Sequence, residues 1–232
     1  MHLLGVDIGG TGIKAAIVNS KTGQLVSERH RIATPQPATP QSVAATLKKM
    51  VEHFAWQGPI GCGFPATVTH GVAQTASNID KSWIGTNVEA LFAEFTDCPC
   101  YVVNDADAAG MAEMDFGAGY QHSGVVVIIT VGTGLGSAVF VNGELLPNTE
   151  FGHIILNDKI AEHYTSARVR EAEDLSWKKW GKRFNFYLQR LEFLMSPDCF
   201  IIGGGASKKF EKFSTTFVFF LRPLSWYVND IF

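Results

Sequence analysis

Apolar residues in this chain fall into short runs that end in glycine, and that pattern predicts strands joined by tight turns. The first run stops at Asp7-Ile8-Gly9-Gly10-Thr11-Gly12, and Ala15-Ala16-Ile17-Val18 resumes it beyond the turn. The cluster Asn19-Ser20-Lys21-Thr22-Gly23 reads as a second turn, and residues 25–29 as a third extended segment. A β-branched run over residues 124–130 has the composition of a central strand. It ends in Val131-Gly132-Thr133-Gly134-Leu135-Gly136, and a returning strand over residues 137–141 follows, closed by the hairpin turn Asn142-Gly143. Each half of the chain therefore opens with a strand, a glycine turn and a returning strand. That repeat predicts a duplicated, two-lobed α/β fold.

Between and after these meanders the period changes to that of helices. Pro35, Pro37 and Pro40 stiffen a connector over residues 34–41, ahead of a helix predicted over 42–54 with Ser42 as its N-cap. Residues 60–66 read as a buried strand ending in a glycine loop, and residues 88–95 as a helix opened by Thr86 or Asn87. A short strand over 101–103 presents Asn104-Asp105 at its end, and residues 106–114 are small enough for a closely packed helix. One long helix is predicted over 167–196. Trp177, Trp180, Phe184, Tyr187, Leu191 and Leu194 form its core face, with Lys178, Lys179, Lys182 and Arg183 mostly elsewhere. Those cations are either a solvated face or a track for a long polyanion.

Composition narrows the partners. With 232 residues and a formal net charge of −3, the chain offers no global attraction to nucleic acid or to an anionic membrane. No signal peptide or membrane-spanning run is evident. The four cysteines lack both disulfide density and paired metal-ligand spacing, which points to a reducing cytoplasm and to Cys98 and Cys100 as ordinary residues. A small-molecule partner is the expectation.

The glycine turns carry the chemistry. Gly10-Thr11-Gly12-Ile13-Lys14-Ala15 fits the dinucleotide fingerprint, but a strand follows where that fingerprint needs a helix. Asp7 ahead of the turn would repel a pyrophosphate unless a divalent cation lay between them, so the combination suits Mg²⁺-phosphate. Two backbone cradles flanking the Asn104-Asp105 carboxylate point to phosphoryl transfer onto a hydroxyl. The plainer readings are hairpin glycines that only supply positive φ, and Asn104-Asp105 as a helix cap.

Taken together these motifs resemble the ROK family of sugar kinases and regulators in the actin-like ATPase superfamily, and within it the polyphosphate-using glucokinase branch. The resemblance runs from Met1 to about Lys212. It rests on Asp7 to Lys14 as the first phosphate loop, Asn104-Asp105 with Ala108-Ala109 as the catalytic turn, and residues 130–137 as the second phosphate loop. Glu150-Phe151-Gly152-His153 is similar to the sugar motif ExGH, and Gly203-Gly204-Gly205 to a third glycine loop. Residues 166–171 and Leu175-Ser176-Trp177 resemble the polyphosphate-using branch in particular.

The resemblance implies an α/β, two-lobed actin-like ATPase (ribonuclease H-like) fold, each lobe a mixed β-sheet flanked by helices. Residues 1–105 would form the N-terminal lobe with the first phosphate loop. Residues 106–232 would form the C-terminal lobe with the second phosphate loop, the sugar motif and an atypical tail. Glucose would sit between the lobes on Asn78, Asn104, Asp105, Glu150 and His153, with Asp105 as general base toward the 6-hydroxyl. Gly9, Gly10, Thr11, Gly12, Lys14, Gly132, Thr133, Gly134 and Gly204 would hold the phosphates of polyphosphate or ATP, and Asp7 would position Mg²⁺. A homodimer is implied. The family's cysteine-rich zinc motif is absent after His153, so no zinc is expected, and His153 needs another orienting partner. From Phe213 the chain departs from the family pattern, as a shifted reading frame or truncated product would, and Phe217 to Leu221 would be prone to strand pairing if exposed. The alternatives are an ATP-dependent hexose or N-acetylhexosamine kinase and a catalytically inactive sugar-binding protein. Regulators of the family carry a DNA-binding segment ahead of the first phosphate strand, which this chain lacks.

Overall fold

In the computed structural model, which describes residues 1–213, the repeat read from the glycine turns appears as two sheets of the same plan. The chain divides into two compact units, Met1–Ala112 and a second that starts at Glu113.

The first unit is built on a five-stranded sheet of β1 (His2–Ile8), β2 (Gly12–Asn19), β3 (His30–Ala33), β4 (Ile60–Phe64) and β7 (Cys100–Asn104), in the order β3-β2-β1-β4-β7. The first three strands run antiparallel, and β4 and β7 continue the sheet parallel to β1. Alternate residues Leu4, Val6, Ile8, Ile13 and Ala15 are fully buried on one face, with Val43, Leu47 and Met50 of α1 (Pro40–His53) and Phe92 of α2 (Val88–Thr96) in the same core. The small hairpin β5 and β6 (Val68–Thr69, Val72–Ala73) lies between β4 and α2 in sequence. Fully buried Phe64, Trp83 and Phe92 meet edge to face, each burial contributing roughly 1.5–3 kcal/mol.

Three local expectations shift here. Helix α1 starts at Pro40 behind the cap Thr39, because proline suits the first helical position; Ser42 sits inside the first turn and donates to the Pro37 and Thr39 carbonyls. Asn87, rather than Thr86, caps α2. The third strand is His30–Ala33, and within residues 25–29 only Leu25 makes a bridge, to Val18.

Helix α3 (Asp105–Phe116) leads into the second unit, whose sheet has the order β10-β9-β8-β13. Strands β8 (Val125–Val131), β9 (Leu135–Val141) and β10 (Glu144–Leu146) form the antiparallel meander, and β13 (Cys199–Gly203) lies parallel to β8. Asn142 and Gly143 both take positive φ at the expected hairpin turn. β8 reads as a continuous β-branched run because it is buried on both faces. Val127, Ile129 and Val131 pack with the aromatic face of α6 (Trp177–Met195), whereas Val126 and Ile128 pack with Met114. The small strands β11 (Ile155–Leu156) and β12 (Lys159–Ile160) pair between β10 and α4 (Glu162–Thr165).

The single long helix expected over 167–196 is two: α5 (Ala167–Ala172) and α6 (Trp177–Met195). Asp174 takes a left-handed conformation and Ser176 starts a new helix by accepting from the Lys179 N–H. Trp180, Phe184, Tyr187 and Leu191 are fully buried as expected, but Leu194 is 53% exposed in the last turn. Phe213 completes this core by stacking among Trp177, Trp180 and Phe184, over Gly181. The run Phe217 to Leu221 lies outside the described residues. No helix among the described residues is long and apolar enough to cross a membrane.

Candidate active site

In the first unit the parallel strands β1, β4 and β7 end together, and the predicted site residues collect at that edge. The turn after β1 has three of its carbonyls occupied. The Gly12 carbonyl takes the Gly9 N–H, the Gly9 carbonyl takes the Thr34 hydroxyl, and the Thr11 carbonyl takes both the Thr34 N–H and the Arg31 guanidinium. No hydrogen bond among the described residues uses the N–H of Gly10 or of Thr11. The turn therefore presents two N–H donors and engages the carbonyls of Gly9, Thr11 and Gly12, as suits an anion cradle. A Cβ at Gly9 would press on the Gly12 carbonyl at 2.9 Å, which accounts for glycine there.

Asp7 and Lys14 face each other across β1 and β2 and form an ion pair of 2.7 Å. Burial pushes the Asp7 carboxyl above its ordinary value, and the Lys14 ammonium opposes that shift. Lys14, expected on the donor phosphates, thus has its charge engaged by Asp7, and Asp7 keeps Oδ1 clear of the ion pair. Asn78 lies close to the cradle: Gly10, Gln36, Ala38, Ser77, Asn78 and Asp80 line a cavity of about 360 Å³.

At the end of β7, Asn104 is buried and spends its side chain inside the fold. Its Oδ1 accepts from the Ala106 and Asp107 N–H groups, and its Nδ2 donates to the Ala66 carbonyl. It is the cap of α3 and it fixes the turn that carries Asp105. Asp105 itself is exposed, with Oδ1 on the Ala106 N–H.

In the second unit the turn after β8 closes differently, because the Gly132 N–H donates to the Gly134 carbonyl at 3.0 Å. Gly132 was expected to offer that N–H to phosphate; the donors left without a hydrogen bond among the described residues are those of Thr133 and Gly134. Glu162, which the sequence did not single out, accepts from the Leu135 N–H, and its carboxylate covers the position that a side chain at Gly134 would fill. Gly204 takes φ +79° and packs against the Val131 backbone, where a Cβ would lie 2.7 Å from the Val131 nitrogen. The third glycine loop is thereby built onto the base of the second.

The sugar motif sits on the same framework. The Ser137 hydroxyl donates to the Thr149 carbonyl and accepts from the Phe151 N–H, and Gly152 leaves room for the Leu135 carbonyl. His153 Nδ1 lies 3.2 Å from Glu150 Oε2, so Glu150 is the orienting partner that the sequence left unnamed. Of the four cations near the start of α6, Lys178, Lys179 and Lys182 are exposed. Arg183 is engaged by Glu173 at 2.6 Å and by the Tyr164 carbonyl. Among the described residues no group of three or more His, Cys, Asp or Glu side chains could hold a metal ion.

A glycine turn ending the first strand of each mixed sheet, with an exposed aspartate at the head of α3, defines a sugar kinase of the actin-like ATPase fold. The chain belongs to the ROK family, whose sequence model matches residues 3–164. It is 49% identical over 212 residues to the polyphosphate glucokinase of Mycobacterium tuberculosis strain H37Rv, covering 91% of this chain and 80% of that one. The crystal structure of the inorganic polyphosphate/ATP-glucomannokinase from Arthrobacter sp. strain KM superposes with a TM-score of 0.85 at 45% identity, over 91% of this chain and 87% of that one. A ROK family glucokinase from Streptomyces griseus in complex with glucose and AMPPNP superposes with a TM-score of 0.77 at 25% identity, over 90% and 85% of the two chains.

Proposed function

We propose that this chain transfers a phosphoryl group from inorganic polyphosphate, with ATP as a second donor, to the 6-hydroxyl of glucose. The observation that carries the reading is the 49% identity to a polyphosphate glucokinase over 212 residues, 91% of this chain.

The residues present support the chemistry one unit at a time. Asp105 is exposed at the head of α3, held there by the Asn104 cap, and acts as general base for the attacking hydroxyl, a contribution of ~10²–10⁴ in rate. The N–H groups of Gly10 and Thr11 in the first turn, and of Thr133 and Gly134 in the second, serve as donors to phosphate oxygens. The Glu150–His153 pair offers one acceptor and one orientable ring to sugar hydroxyls, and Asn78 borders the cavity beside Gly10. Asn104 acts through the turn it holds. Mg²⁺ fits the donor set as an ion carried by the donor phosphates with Asp7 as a carboxylate partner, since Asp7 Oδ1 stands clear of the Lys14 pair. Bound there, it would neutralise phosphate charge. The exposed Lys178, Lys179 and Lys182 favour polyphosphate, which needs a cationic track and no base pocket. Four buried, unpaired thiols suit a reducing cytoplasm, and the family resemblance favours a homodimer.

The test is glucose 6-phosphate formation by the purified chain with Mg²⁺ and either donor. Faster product formation with polyphosphate supports the reading; product with ATP alone would make the chain a general sugar kinase, and no product with either would overturn it.

A further inference from the structure

Strand register places Arg31, Lys14 and Asp7 side by side on three neighbouring strands, since Lys14 is the partner of Arg31 across β2 and β3 and of Asp7 across β1 and β2. Asp7 answers the charge of Lys14. Arg31 is exposed, and among the described residues no carboxylate lies within 4 Å of its guanidinium. Its one hydrogen bond is to the Thr11 carbonyl at 2.8 Å, which commits one of five N–H donors. The guanidinium lies over Gly12, where any side chain would collide with it, so the glycine is what lets this cation reach the cradle.

We propose that Arg31 is a donor-binding residue of the first phosphate turn, its guanidinium taking anionic oxygens of the polyphosphate or nucleotide phosphates beside the N–H groups of Gly10 and Thr11. Four uncommitted donors in a planar fork match phosphate oxygens, and an unanswered positive charge beside the N–H groups of Gly10 and Thr11 is complementary to an oligoanion. The assignment rests on the phosphotransferase reading and moves to Arg31 the donor charge expected of Lys14.

The experiment pairs Arg31→Gln with Arg31→Lys. Glutamine keeps a neutral N–H for the Thr11 carbonyl and removes the charge, whereas lysine keeps the charge and loses the fork. Equilibrium binding of tripolyphosphate is measured by calorimetry at several salt concentrations, alongside KM for each donor and for glucose. Arg31→Gln is expected to weaken tripolyphosphate binding by ~10-fold or more and to flatten its salt dependence; Arg31→Lys recovers part of the affinity. Donor KM rises with glucose KM within about twofold. Unchanged tripolyphosphate affinity in Arg31→Gln overturns the proposal, as does an affinity that falls with the salt dependence intact, which would make Arg31 only a clasp for the turn. Wild-type protein that binds tripolyphosphate through Arg31 yet makes no glucose 6-phosphate would leave the Arg31 assignment standing and overturn the glucokinase reading.

Discussion

The two glycine turns share a backbone plan and differ in everything attached to it. The first is charged: Asp7 and Lys14 face each other beneath it, Arg31 lies across it, and the carbonyls of Gly9, Thr11 and Gly12 are tied down. Among the described residues, the second has no ion pair within its strands. Like the first, which closes through the Gly9 N–H, it closes on a glycine N–H, that of Gly132, but it is braced from outside by Glu162 and by the Ala167 N–H on the Gly132 carbonyl. The difference teaches that the repeated strand, turn and strand supplies only a backbone cradle. The strand neighbours decide whether the cradle carries charge, a metal partner or neither.

The sharpest test starts at the head of α3, with the proposed base. Asp105→Asn keeps the shape and the bond to the Ala106 N–H but removes the base, and turnover is expected to fall by at least ~10² while glucose affinity stays within a few fold. Steady-state kinetics with calorimetric glucose binding read both numbers; unchanged turnover would take Asp105 out of the base role. Next in size is the cationic start of α6. Replacing Lys178, Lys179 and Lys182 with glutamate, and leaving Arg183 in its pair with Glu173, should raise the polyphosphate KM by ~10-fold or more and the ATP KM far less. Equal losses for the two donors would return these lysines to plain surface.

The glycines sharpen the contrast at the level of packing. A Cβ at Gly152 would drive into the Leu135 carbonyl, so Gly152→Ala is expected to cost about 1–3 kcal/mol, to lower Tm by roughly 2–4 °C per kcal/mol, and to weaken glucose binding through the Glu150–His153 pair. Gly10→Ala meets only the Asn78 carbonyl at 3.4 Å, ordinary contact, so Tm should hold while the methyl group crowds the cradle and raises donor KM. If both substitutions lowered Tm alike, the first turn would be as rigidly packed as the second and the contrast would fail.

What could be read from the sequence follows the range of the interactions involved. The glycine turns, the β8 run and the aromatic face of α6 were legible because each is a local pattern with a fixed period. The break at Asp174 was missed because Arg168, Arg170, Glu171 and Glu173 ahead of it are good helix formers, although Ser176 is a cap signal in plain view. The Asp7–Lys14 pair was legible in principle, since a turn that pairs Ile8 with Ile13 sets those two residues opposite each other. Arg31 was not. Its place over Gly12 depends on the register of β3 after the excursion of residues 20–29, which no local rule fixes. Glu162 and Ser137 escaped for the same reason, being ordinary polar residues until the fold brings them to the second turn and to the sugar motif.

The smallest expected effect follows from Asp7, and it separates the two turns by pH. Burial raises the Asp7 carboxyl above its ordinary value despite Lys14, so ionising it costs the folded chain more than the unfolded one. The folded state then binds more protons than the unfolded state between the ordinary carboxylate pKa and the raised one. The Asp7 contribution to stability is therefore fully present below that window and is lost as pH rises through it. Asp7→Asn removes the charge while keeping a side chain that fits, and Lys14, with its side chain about one-third exposed, can turn to water. The variant should melt at a slightly higher temperature than wild type at pH 7, with the gap closing as pH falls toward the ordinary carboxylate range, while its Mg²⁺-supported transfer drops. Melting curves across pH, paired with activity titrated against Mg²⁺, decide it. A variant that melts lower at pH 7 would mean that the ion pair outweighs the burial cost, and the first turn would owe its charge to stability rather than to the donor.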